Sequence, residues 1–304
     1  MRVRQPVRSS TGDLRVGVHT SIAGGISKAL DRAASLNCRT LQIFSHNPRQ
    51  WRKSSISPEE VNRFRLLRKK FDISPVFVHV SYLINLASLS SEILKKSIDL
   101  LAYELDNADA VDAEYIVLHT GSAGGQDEHK ARIGAADALL KAIGTREHRA
   151  SVLLENTAGE RGDITSSIKA LAEIIDACKS DRVSGICIDT CHAFSSGYDL
   201  RSPEGVDKLF SEVSKYIGLD KLKLIHLNDS KKALGSGVDR HEHIGKGFIG
   251  IKGFNTMLSD KRISNIPIIL ETPKKNEEDD RRNLQTVFGI LMNHGRTIIP
   301  RSRI

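Results

Sequence analysis

Eight short apolar, β-branched runs recur along the chain: LRVGVH, TLQIFS, PVFVHV, YIVLHT, SVLLEN, GICIDT, LKLIHL and PIILET. Their starts lie roughly 25 to 45 residues apart, the length of one strand-plus-helix unit. Between them run stretches with apolar residues at helical spacing, such as SSIKALAEIIDACK. Ser57-Pro58-Glu59 and Ser202-Pro203-Glu204 each place a capping serine before a first-turn proline. Strand–helix alternation implies a parallel sheet. Eight such units predict an α/β fold, a closed (β/α)8 TIM barrel of about 250 residues in a single domain. An open doubly wound sheet would want a glycine-rich turn after the first strand, and SIAGGISKA has no G-x-G-x-x-G. The barrel is expected over 15–295, with a basic N-terminal extension at 1–14 and a C-terminal tail at 296–304. The longest irregular piece, Asn228 to Gly250, is expected to be a functional loop.

The apolar runs end in polar residues: His19, His79, His119, Glu155, Asp189, His226 and Glu271. In a barrel these ends open on one face, where active sites sit. His192 follows Asp189 closely, and VDRHEH adds Asp239 and His241. Taken singly, each has a plain structural reading. A lone histidine is a satisfied core residue, the reading adopted for His19, and a lone glutamate pairs with a neighbouring strand. Taken together that reading fails, because each unpaired buried ion costs several kcal/mol. Divalent cations in the cup remove the penalty. Imidazole nitrogen and carboxylate oxygen without thiolate suit Zn²⁺ or Mn²⁺, and the candidates suffice for two or three ions. The four cysteines, Cys38, Cys178, Cys187 and Cys191, form no Cys-x-x-Cys pair. They read as reduced thiols, with Cys187 and Cys191 as small buried hydrophobes rather than soft ligands.

The composition, 39% hydrophobic and 27% charged, is ordinary for a globular protein. The apolar runs fall far short of the roughly 20 residues needed to cross a bilayer, and the N-terminus lacks the apolar segment of a signal peptide. A net charge of +8 and a pI near 9.3 favour polyanionic partners, nucleic acid foremost. A metal cluster activates water and clamps both oxygens of a phosphoryl transfer. The residues therefore read as a metal-dependent phosphodiesterase acting on nucleic acid.

Longer motifs sharpen this: NPRQW, HVSYLINL, VLLENTAG, CIDTCHAFSSGYDLR, HLNDSK, GSGVDRHEHIGKGFIG and PIILETP. From Val16 to Thr272 the chain closely resembles endonuclease IV, the zinc-dependent apurinic/apyrimidinic (AP) endonuclease family. The resemblance implies three Zn²⁺ per chain, with Mn²⁺ as a substitute. One would be held by His79, His119 and Glu155. A second would share Glu155 and add Asp189, His226 and Glu271. A third would take His192, Asp239 and His241. Glu155, Asp189 and Glu271 would be the catalytic carboxylates.

The implied function is DNA base-excision repair. Metal-activated hydroxide would hydrolyse the phosphodiester 5′ to an abasic site, leaving a 3′-hydroxyl and a 5′-deoxyribose phosphate, with trimming of blocked 3′ ends besides. The implied partner is double-stranded DNA carrying such lesions. A baseless nucleotide is cheap to flip out of the helix, and Arg49, Tyr82 and Leu83 would fill the gap. Trp51 would support the Arg49 loop, and Lys231, Lys232 and Lys246 would meet phosphates. The chain departs from the family pattern at Val80, where aspartate is frequent, and at Thr120, where proline is usual. The remaining expectations are a monomer with no membrane contact. It would be cytoplasmic and nucleoid-associated if bacterial, with organelle or nucleus left open. The alternatives are a metal-dependent sugar isomerase or epimerase of the same superfamily, which has no use for RQW or SYLINL, and a non-catalytic DNA-binding barrel, which would have lost ligands.

Overall fold

The computed structural model of the chain describes residues 14–144 and 146–295. The expected extension and tail lie outside these residues except for Leu14, which is buried in the core. The barrel strands are β1 (Val16–His19), β2 (Thr40–Phe44), β3 (Val76–His79), β4 (Tyr115–Leu118), β5 (Ser151–Glu155), β6 (Val183–Asp189) and β7 (Leu222–His226). A two-stranded antiparallel hairpin follows, β8 (Asp229–Ser230) and β9 (His241–Glu242), and then the last barrel strand, β10 (Ile268–Leu270). The eight barrel strands are all parallel, and β1 pairs with both β2 and β10 to close the cylinder. The predicted (β/α)8 barrel is therefore the observed fold. The stretch read as one long irregular loop contains the β8–β9 hairpin, too short to leave a period in the sequence.

The outer layer comprises α1 (Lys28–Ser35), α2 (Pro58–Lys70), α3 (Ser91–Ala110), α4 (Glu128–Ile143), α5 (Ile168–Cys178), α7 (Pro203–Tyr216), α8 (Gly250–Leu258) and α9 (Glu277–Asn293); a single short turn, α6 (Thr190–Ser195), caps β6. The expected serine caps form: Ser57 accepts from the Glu60 amide and Ser202 from the Gly205 amide. A large apolar cluster, including Val78, Leu118, Ile188, Leu101 and Phe210, joins barrel to helices.

A second, separate cluster fills the barrel itself: Phe77, Val117, Leu153, Cys187, Leu224 and Ile269. Side chains two apart on a strand share a face. Two residues beyond each member of that inner layer stand His79, His119, Glu155, Asp189, His226 and Glu271. The floor of the cup is thus apolar, and the next layer up is the set of polar residues singled out from the sequence.

The strands pack closely enough to exclude side chains at two points. A β-carbon on Gly17 would stand 2.0 Å from the Thr40 carbonyl oxygen, and one on Gly185 would stand 2.0 Å from that of Lys221. Gly185→Ala is expected to destabilise the fold by about 2 kcal/mol, read as a lower urea midpoint at unchanged slope. A variant within about 0.5 kcal/mol of wild type would contradict this packing.

Candidate metal centre

Glu155 ends β5 at the centre of the cup and is completely buried. Its Oε2 lies 3.2 Å from His79 Nε2 and 2.9 Å from His119 Nε2, whereas its Oε1 lies 2.9 Å from His226 Nδ1. Each carboxylate oxygen thus faces a different set of donors. His226 Nδ1 is also 3.2 Å from Glu271 Oε2, and Asp189, Glu155, His226 and Glu271 can converge on one point. A third set lies beside these: Asp239 is 3.3 Å from His192 Nε2 and 3.2 Å from His241 Nε2. All nine ligand positions implied by the resemblance fall in these three groups.

Local structure explains how β6 serves two groups. The Asp189 carboxylate caps α6 by accepting the His192 amide at 2.9 Å. That single turn lifts His192 toward Asp239, while the other Asp189 oxygen accepts from Asn228 Nδ2 at 2.6 Å. The hairpin pairs Ser230 with His241. The buried Asp229 carboxylate accepts the amides of Gly245, Gly247 and Ile249, folding the rest of the loop around itself.

The donor set fits divalent cations. Ligands about 2.0–2.2 Å from a tetrahedral ion are roughly 3.4 Å apart, close to the spacings above. In four of the five rings the second nitrogen is engaged away from the centre. His79 Nδ1 donates to the Val80 carbonyl, His192 Nδ1 to the Asn156 carbonyl, and His241 Nδ1 to the Glu271 carbonyl. His226 Nε2 donates to Gln42 Oε1 at 2.8 Å. In the neutral ring, as a bound cation would require, these bonds place the proton outward and leave the inward nitrogen as a lone-pair donor. His192 Nε2 and His241 Nε2 are buried without a hydrogen bond among the described residues. At the Val80 departure His79 Nδ1 bonds the backbone carbonyl, at 2.8 Å, rather than a side chain. Thr120 is buried beside the site, and nothing in the structure explains that replacement.

Burial works against charge here, yet opposite charges prevail. Burial opposes ionised Glu155, but His226 and His119 hold its carboxyl well below the ordinary range. Glu271 and Asp239 are likewise held low against burial, chiefly by His226 and by His192 respectively. Burial also opposes charged His241, but Asp189 and Asp239 bring it up to about 9. Two thiols approach the donors, Cys187 near Glu155 and His226, and Cys191 near Asp189 and His241. Burial pushes both upward, Cys191 to about 12.

Sequence reading missed the residues that orient the ligands. Gln42, fully buried in β2, donates to Glu271 Oε1 at 2.6 Å while accepting from His226. A polar residue within TLQIFS was a visible signal. Asn156 and Asn228 hold Asp189, and only their positions beside ligands mark them. His19, read as a core histidine, lines the cup with Nδ1 3.3 Å from Glu271 Oε1.

The cup opens into a cavity of about 950 Å³ whose wall includes His19, Phe44, His79, Tyr82, His192 and Glu271. Arg49 is exposed on the loop after β2, and Tyr82 is 66% exposed on the loop after β3. Leu83 is half-buried beside it, and Trp51 packs partly buried against the core. Lys231, Lys232 and Lys246 are exposed on the hairpin and the loop that follows. No helix among the described residues is long and apolar enough to cross a membrane.

A cylinder with clustered metal-competent side chains at its mouth defines the class, and the chain matches the xylose isomerase-like TIM barrel family over residues 30–289. It is 42% identical over 279 residues to a probable endonuclease 4 of Chloroflexus aurantiacus, covering 91% of this chain and 98% of that one. The crystal structure of endonuclease IV from Thermus thermophilus superposes with a TM-score of 0.81 at 36% identity, covering 92% of this chain and 99% of that one. A D-tagatose 3-epimerase-like protein, at 18% identity and a TM-score of 0.70 over 93% of this chain and 98% of its own, shares the fold alone. The chain belongs to the endonuclease IV family.

Because His241 is held up to about 9 without metal, metal uptake must displace protons below that pH. Calorimetric Zn²⁺ titration of metal-stripped protein is expected to show net proton release at pH 7.5, with apparent affinity rising as pH is raised from about 6 to about 8. Affinity independent of pH would contradict the assignment.

Proposed function

We propose that the protein is a metal-dependent DNA-repair endonuclease that hydrolyses the phosphodiester 5′ to an abasic nucleotide, leaving a 3′-hydroxyl and a 5′-deoxyribose phosphate, and trims blocked 3′ ends by the same chemistry. The observation that carries this reading is the divided Glu155 carboxylate, which lets one buried group serve two donor sets. The sites would take three Zn²⁺, with Mn²⁺ able to substitute: His79, His119 and Glu155; Glu155, Asp189, His226 and Glu271; and His192, Asp239 and His241. When bound, the cations would supply Lewis-acid charge and a water acidic enough to attack near neutral pH.

The chain's own groups do the rest. Glu155, Asp189 and Glu271 supply the negative charge that holds the cluster. Gln42 and His19 fix the Glu271 carboxylate on the cavity wall. Arg49, Tyr82 and Leu83 form a rim suited to the gap left by a missing base. The exposed lysines and the +8 net charge favour a phosphate backbone. A sugar isomerase needs fewer ions and no projecting aromatic rim, so the third donor set and exposed Tyr82 favour DNA. A non-catalytic barrel has no reason to keep all nine donors.

The purified protein is expected to nick a duplex carrying one tetrahydrofuran abasic analogue at that site and to lose the activity on prolonged chelation. Equal cutting of undamaged duplex would contradict the lesion specificity. Glu271→Gln is expected to lower turnover at least about 100-fold while leaving DNA binding measurable; a wild-type rate would remove Glu271 from the reaction.

A further inference from the structure

Two loops carry the proposed wedge residues, and one helix holds both. Glu104, on α3, is almost wholly buried, and its carboxylate reaches in two directions. Oε1 accepts from His46 Nε2 at 2.6 Å, three residues before Arg49. Both oxygens accept the Ser81 amide, at 3.1 and 3.2 Å, immediately before Tyr82. Ser81 then ties the loops to each other. Its hydroxyl donates to the Pro48 carbonyl at 2.6 Å and accepts the Leu83 amide at 3.2 Å.

Neighbours on the same helix extend the hold. Tyr103 packs edge-on against His46, with ring centroids 5.6 Å apart, and its hydroxyl bonds the backbone of Ser54 on the far side of Arg49. Asn107 donates to Ser45 Oγ at 3.2 Å. Burial alone pushes the Glu104 carboxyl upward, opposed by His46 and the Ser81 amide. An acid in such a place is costly unless its partners are fixed.

From this convergence we infer that Glu104 and His46 are positioning residues for lesion recognition: they clamp the Arg49 and Tyr82 loops in one relative placement before DNA arrives, so that wedge insertion carries less ordering cost. The inference rests on the reading of Arg49, Tyr82 and Leu83 as the wedge. Neither residue belongs to the metal-competent groups, so their loss should act on binding rather than on the chemical step.

The test is run on the metal-loaded, full-length protein. By hydrogen exchange, the wild-type Ser81 amide should be strongly protected without DNA, and Glu104→Gln should speed its exchange about tenfold or more. Exchange at the rate of an open loop in the wild type, which needs no variant to fold, would overturn the clamp. In Glu104→Gln, binding to the abasic duplex should weaken about tenfold, with intact-duplex binding, kcat and metal content near wild type. Equal loss on both duplexes, or lost metal, would mean general structural damage and overturn the inference. In a Tyr82→Ala background, Glu104→Gln should add less than about twofold; full additivity would show that the clamp does not act through the wedge. If Tyr82→Ala alone left abasic binding intact, the wedge reading itself would fall, whatever the exchange data said of the loops.

Discussion

A carboxylate with no access to water sits at the centre of this protein, and the site is arranged around the need to compensate its charge. Glu155 cannot be ionised there without positive charge close to both oxygens. His79 and His119 face one oxygen and His226 the other. Those imidazoles are themselves fixed, His79 by an outward bond to a backbone carbonyl and His226 by one to Gln42. Compensation by imidazolium alone and compensation by cations use the same geometry. The donor spacings and the aim of the free nitrogens suit the second.

The barrel makes this possible through strand parity. Phe77, Val117, Leu153, Cys187, Leu224 and Ile269 fill its interior, so the residue two further along each strand must also point inward and stands one layer higher. Six strands thus bring six metal-competent side chains together at their last residue or the one just past it. Loops supply what the cylinder cannot. The α6 turn adds His192, and the hairpin folded on Asp229 adds Asp239 and His241. The same scaffold accommodates sugar epimerases, so the fold leaves the chemistry open.

Parity also explains what could be read from the sequence. An apolar run that ends in His, Asp or Glu announces both a strand and an inward polar tip, so the barrel and six of its inward metal-competent side chains are legible along the chain. His192 was visible through its spacing from Asp189. The orienting residues were not, because a hydrogen bond to a ligand leaves no period along the chain. Gln42 looked like one polar interruption, and Asn228 like a loop residue. The contact of His19 with Glu271 is not legible, because a single histidine carries no sign of what lies 252 residues away across the barrel closure. The Glu104 clamp was hidden in the same way, its partner His46 lying 58 residues earlier.

On the proposed reading, Glu155 unites two metal sites while a third stands apart from it. Metal content per chain, measured on wild type and Glu155→Ala after gel filtration in trace zinc, tests this most directly. About three ions are expected in the wild type and about one in the variant, retained by His192, Asp239 and His241. One ion or none in the folded wild type, or an undiminished count in the variant, would contradict it.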